Sequence, residues 1–129
     1  MDTNLVLRDG TSDLTADETL TSVLIGPMTR PMVLCVLSPG GSEANDTLDV
    51  ELEFCDEGAT TTQVYNMNSP QMDANATNQI VRVPFITPLE YLQVKLNVTD
   101  NDAGGDFNAG GVKVWIEAAA RYTKTSLTS

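Results

Sequence analysis

The chain has 129 residues, 41% of them hydrophobic, with no histidine and only two cysteines. Seven Lys and Arg stand against eighteen Asp and Glu, a formal net charge of −11. Without imidazole the usual general base and commonest metal ligand are missing, and such a negative field repels nucleic-acid phosphates and anionic membrane surfaces.

The predicted elements follow in chain order. Residues 5–7 (Leu5, Val6, Leu7) read as an edge strand. Thr15, Ala16, Asp17 and Glu18 suit a short helix capped by Thr15 or, equally, a turn. Residues 20–25 read as a strand ended by Gly26-Pro27. Residues 33–37 are apolar throughout, as in a central strand. Leu48, Val50, Leu52 and Phe54 alternate with Asp49, Glu51 and Glu53, the period of a half-buried strand. Residues 62–67 are a weaker strand candidate. Val81, Val83 and Phe85 alternate with Arg82 and Pro84, and Pro84 with Pro88 marks an edge or bulged strand. Leu92, Val94, Leu96 and Val98 alternate with Tyr91, Gln93, Lys95 and Asn97. Val112, Val114, Ile116 and Ala118 alternate with Lys113, Trp115, Glu117 and Ala119. The four alternating strands, around 48–54, 81–85, 92–98 and 112–118, are expected to form a sheet with one wet face.

Loops are expected at 38–46, 56–61, 68–78 and 99–111, where Gly, Asn, Asp and Ser gather. Seven to eight strands with such punctuation predict an all-β fold, an antiparallel β-sandwich of jelly-roll or immunoglobulin-like type. The length suits one domain, expected over 1–122 with a short N-terminal arm and a flexible polar tail at 123–129. No apolar run reaches the ~18–20 residues of a membrane span. The opening Met1-Asp2-Thr3-Asn4 has no basic and apolar leader, so use without Sec export is expected. If the 33–37 and 48–54 strands form a hairpin, Cys35 faces about Val50. Cys55 then lies about 17 Å further along, beyond disulfide reach, which predicts two free thiols.

Three groups are candidate sites. Asp100, Asp102 and Asp106 sit on a Gly-rich loop that begins like a calcium loop, with acids at its first and third positions and Gly at its sixth. The pattern then breaks: Gly104 and Gly111 stand where the fifth and twelfth ligands belong, so turn chemistry explains the loop as well. The row Asp49, Glu51, Glu53 offers paired carboxylates, but 5% aromatic content is thin for a sugar cleft, and a solvated sheet face accounts for it. Trp115 shares the outward side of Lys113 and Glu117, and Tyr91 is outward on its own strand. An outward indole is either covered by a loop or used against a partner.

The opening Leu5-Val6-Leu7-Arg8-Asp9-Gly10, the strand at 33–37, then Leu48 to Glu53, Val81 to Phe85, Tyr91 to Leu96 and the closing strand at 112–118 form an ordered series. In length, order and flavour it resembles the small β-sandwich decoration (cement) proteins of tailed-bacteriophage capsids. The resemblance runs over about residues 3–122 and rests on strand pattern. It implies a non-enzymatic virion protein, made in the host cytoplasm and bound outside the capsid. Its partner would be the major capsid protein, and a homo-oligomer, such as a trimer at a local three-fold, is part of that expectation. No cofactor, nucleic acid or membrane is implied. Contact elements are expected at Leu5, Val6, Leu7 and Arg8, at Tyr91 and Trp115, and at Arg121, Tyr122 and Lys124. The alternative is a carbohydrate-binding or adhesion sandwich, assisted by calcium at Asp100–Asp106.

Overall fold

Leu48, Val50, Leu52 and Phe54 are all fully buried, as their alternation requires, and the strand they form is the axis of the larger of two sheets. The computed structural model describes residues 5–26, 28–40, 46–56, 63–74, 79–100 and 107–118. These contain β1 (Leu5–Asp9), β2 (Glu18–Thr19), β3 (Val23–Leu24), β4 (Met32–Ser38) and β5 (Thr47–Cys55). They continue with β6 (Gln63–Asn68), β7 (Met72–Asp73), β8 (Gln79–Phe85), β9 (Tyr91–Thr99) and β10 (Lys113–Ala118). One sheet has the order β1-β10-β4-β8. The other runs β2-β9-β5-β6, with β3 also on β9 and β7 also on β5. Every pairing is antiparallel.

The fold is therefore an antiparallel β-sandwich. Its core is one cluster fed from both sheets: Leu34, Val36, Val83, Phe85, Val114 and Ile116 from the four-stranded sheet meet Leu48, Val50, Leu52, Phe54, Leu92, Val94 and Leu96 from the other. Phe54 and Phe85 touch across the layers, ring centroids 5.8 Å apart and tilted at 46°. The sequence suggested seven to eight strands; the described residues form ten, three of them only two residues long.

Two expectations about pairing are corrected. β4 and β5 do not form a hairpin: β4 lies between β10 and β8, while β5 lies between β9 and β6 in the other sheet. The chain crosses the sandwich between them. Both cysteines are free and buried, as expected, but for a different reason. Cys35 shares the outward side of β4, and Cys55 the outward side of β5, so the sandwich, with its sheets ~10 Å apart, stands between them. Likewise the four alternating strands do not share one sheet. β5 and β9 pair in one, whereas β8 and β10 flank β4 in the other.

Residues 15–18 form no helix. Too short to repay helix nucleation, this segment patches the edge of β9. Asp17 Oδ1 accepts the Val98 N–H at 2.8 Å, and Glu18 enters β2 opposite Leu96. Leu14, just before it, is fully buried and exchanges backbone hydrogen bonds with Ala109 and Gly110. At that junction two backbones pass too closely for any side chain. A Cβ on Gly111 would lie 2.2 Å from Gly10 O, and Gly110 has φ +75 with Gly40 O 2.6 Å from its Cβ position.

Candidate functional site

The two outer faces of the sandwich differ in chemistry. On the six-stranded sheet the outward row Asp49, Glu51, Glu53 is not the fully solvated face its alternation suggests: Asp49 and Glu51 are half-buried, Glu53 is buried, and each acid has a partner. Gln71 Nε2 donates to both oxygens of Asp49 at 3.1 and 3.2 Å, and Asn66 Nδ2 donates to Glu51. Lys95 Nζ lies 3.1 Å from Glu53 Oε2. Tyr91 lies at one end of this face, half-buried, opposite Leu24 on one side and Cys55 on the other.

The outer face of the four-stranded sheet is richer in apolar side chains. Its strand register sets three cross-strand rows. The first runs Asp9, Lys113, Leu37, Ile80; the second Val6, Trp115, Cys35, Arg82; the third Glu117, Val33, Pro84. Val6 is 47% exposed and Ile80 40%, with Leu37 and Trp115 half-buried between them. Val33 and Cys35, in the middle, are already buried, and charged side chains reach in among them: Lys113 lies over the Trp115 ring, and Arg82 and Glu117 reach the Cys35 thiol.

Trp115 is held by its own strand. The Lys113 ammonium lies 5.4 Å from its ring centroid, and its Nε1–H donates to Glu117 Oε2 at 2.7 Å. Residues two apart on a strand share a face, so Lys, Trp and Glu at this spacing fix one another. The polar handle of the indole is thus satisfied internally, and what remains to the outside is apolar surface. Beside it, burial together with the Glu117 carboxylate pushes the Cys35 thiol up to about 11, against a smaller opposite pull from Arg82. Cys55 is pushed up too, by burial first and then by Glu53 and Asp56. Neither thiol is a thiolate nucleophile near neutral pH.

Both edges of the four-stranded sheet are blunted. β1 carries a register shift between Val6 and Arg8, and β8 has Arg82 and Pro84. The sheet offers its face rather than an open edge.

No family model, curated protein or solved structure matches this chain.

The residues singled out from the sequence scatter over this frame. Val6 and Trp115 are register partners on the apolar face, and Leu5 is exposed beside them at the sheet edge. Leu7 is half-buried against the core. Arg8 turns inward. Its guanidinium grips Glu18 with Nε and Nη2, both at 3.0 Å, and donates from Nη1 to the carbonyls of Ser12 at 2.9 Å and Val112 at 2.7 Å. It ties β1 of one sheet to β2 of the other. Tyr91 lies on the opposite face from Trp115, so the two aromatics form no common platform. Asp100 follows β9, while Asp102, Asp106, Arg121, Tyr122 and Lys124 lie outside the described residues. Among the described residues no three His, Cys, Asp or Glu side chains converge as metal ligands do.

Leu37, Ile80, Val33 and Pro84 complete the face and were not singled out from the sequence. A signal was present, because a strand that is apolar on both sides, as β4 is, needs cover on its outer side as well.

Proposed function

We propose that this chain is a structural assembly protein that works by contact, and in its concrete form a decoration protein on the exterior of a tailed-phage capsid, bound to the major capsid protein. The supporting observation is the outer face of the four-stranded sheet: a strongly acidic protein presents one surface where exposed Val6 and Ile80 flank half-buried Trp115 and Leu37, and where acidic and basic side chains are balanced. Such a surface is stabilised by being covered with protein. The blunted edges beside it favour face-on contact over strand addition. The order of strands along the chain, which resembles that of decoration proteins, supplies the capsid part of the reading.

The test is co-sedimentation with intact and decoration-stripped tailed-phage virions, with copy number from quantitative mass spectrometry. Saturable binding at on the order of hundreds of copies per particle supports the reading, since many modest contacts then act together. Absence of binding removes the capsid part and directs the search to a glycan array with and without calcium.

A further inference from the structure

We propose that the outer edge of β6 takes on an extended segment of a partner protein as an added antiparallel strand, one in which Lys or Arg alternates with aliphatic residues. This edge belongs to the six-stranded sheet, so the inference is independent of the four-stranded face that carries the reading above.

The ladder carries the argument. β6 is the last strand of its sheet, and among the described residues nothing pairs with its outer side. The Ser69 N–H donates to Val50 O at 2.9 Å, which fixes the phase of the ladder. In an antiparallel pair, hydrogen-bonded and non-hydrogen-bonded positions alternate. Met67, opposite Leu52, is therefore a hydrogen-bonded position, whereas Asn68 opposite Glu51 and Asn66 opposite Glu53 are not. The N–H and C=O of Asn66 and Asn68 thus point away from β5, toward the outer edge. Both residues are exposed. An added strand meets all four of these backbone groups.

The other described edges are closed to such pairing. β1 has its register shift, and β8 carries Arg82 and Pro84. β2 and β3, at the far side of the six-stranded sheet, are two residues long each. β7 continues the line of β6 but is plugged. Ala74 N–H donates to Asp46 O, so the Asp73 N–H points outward, and there it donates to Gln79 Oε1 at 3.1 Å. Pro70, between the two strands, has no N–H to give. β6 itself reads Gln-Val-Tyr-Asn-Met-Asn, with no charged residue, proline or glycine, and its pairing is regular from Tyr65 to Asn68.

The surroundings specify the occupant. On the outward side, Asp49 and Glu51 accept from the neutral amides of Gln71 and Asn66, while Lys95 is engaged with Glu53. Among the described residues, neither Asp49 nor Glu51 has a cationic partner, and the chain carries a net charge of −11. In an antiparallel addition, the residues bonded to Asn66 and Asn68 turn their side chains to this same side. A Lys or Arg there stands ~4.8 Å beyond β6 and reaches back over Asn68 toward Glu51. The alternate residues fall beside Met67, which is half-buried at the rim of the core, and aliphatic side chains extend the cover there. A second copy offers at the same place only its own uncharged β6 and another row of carboxylates, so it is the poorer mate.

The probe is a labelled hexapeptide, Lys-Val-Lys-Val-Lys-Val, titrated with the full chain by fluorescence anisotropy. Saturable binding is expected, at least tenfold tighter than that of Glu-Val-Glu-Val-Glu-Val or of Lys-Lys-Lys-Val-Val-Val. N-methylation separates strand addition from mere charge attraction. Methyl groups on the lysine amides, which face Asn66 and Asn68, are expected to weaken binding at least tenfold. Methyl groups on the valine amides, which face solvent, leave it nearly unchanged. Asn66→Pro removes one outer N–H without touching the β5 ladder and is expected to weaken binding at least tenfold, whereas Asn66→Ala keeps that N–H and binds as the wild type does. The methylated peptides need no variant, so the test holds if Asn66→Pro does not fold. Hydrogen exchange on the free chain is expected to show fast amides at Asn66 and Asn68 beside a protected Met67, and slowing of the first two when the peptide binds. Absence of binding up to millimolar peptide, equal binding of the lysine-methylated peptide, or Asn66 and Asn68 amides already protected in the free chain each overturns the proposal. None of these outcomes bears on virion binding through the four-stranded face, which co-sedimentation scores separately.

Discussion

Replacing Arg8 by alanine should destabilise the fold by about 3 kcal/mol, and the structure says where the loss falls. The Arg8 side chain is only 7% exposed, while its partner Glu18 is 41% exposed. The ion pair is therefore screened on one side and accounts for no more than about 1 kcal/mol. The carbonyls matter more. Val112 O, held at 2.7 Å in a buried bond, would lose its charged donor, and orphaning such an acceptor costs about 1–3 kcal/mol. Ser12 O loses its donor in a partly exposed setting where water replaces it more cheaply. Loss of the packed aliphatic stem adds to this. For a chain of this length, about 3 kcal/mol lowers the melting temperature by roughly 10 °C. Urea unfolding followed by Trp115 fluorescence and far-UV circular dichroism measures the difference. Glu18→Gln is the control: it keeps an acceptor at a half-exposed site and should cost under about 1 kcal/mol. An Arg8→Ala cost below about 0.5 kcal/mol, or a Glu18→Gln cost as large as that of Arg8→Ala, would refute the view that the guanidinium anchors β1 through buried carbonyls.

Gly111→Ala should cost about 2 kcal/mol or more, because its Cβ would sit 2.2 Å from Gly10 O; thermal melting checks this. Phe54→Ala should cost about 3–5 kcal/mol by removing the fully buried ring packed on Phe85, with denaturant unfolding as the readout. The Cys35 thiol, raised from 9.0 to about 11 by burial, stays protonated in the fold while the unfolded chain ionises. The stability it contributes is complete below pH 9 and is lost as pH rises toward 11. Unfolding free energies across this window should fall more steeply for the wild type than for Cys35→Ala, and parallel curves would count against the burial argument. Trp115→Ala should weaken partner binding more than folding; comparison of its melting temperature with its co-sedimentation decides between the two.

Much of the local structure was legible in the residues. The alternations around Leu52, Val94 and Val114 placed strands and their buried sides correctly, because a pleated strand turns successive side chains to opposite faces. The uninterrupted apolar run of β4 marked an interior strand, and Pro84 marked an edge, since proline has no N–H to give a neighbour. Trp115 was correctly assigned to an outer side by the same parity. What parity does not carry is the identity of the neighbour. Nothing in residues 33–37 and 48–54 says that the intervening loop crosses the sandwich instead of closing a hairpin. The candidate site was half legible for the same reason. Val6 and Trp115 stood out singly, but their meeting with Leu37 and Ile80 depends on β1, β10, β4 and β8 lying side by side.

By itself, the sequence determined the all-β class, the positions of the longer strands and the buried side of each, because these follow from period and turn chemistry within a few residues. Only the tertiary structure decided which strands share a sheet, that Arg8 faces inward to clasp Glu18, and that one outer face carries the carboxylate row while the other gathers Val6, Trp115, Leu37 and Ile80. Those outcomes depend on pairings between residues more than 100 positions apart, as between Leu5 and Ile116 or Arg8 and Val112. Such pairings are chosen by how well two whole sheets fill one core, not by any local preference of the chain.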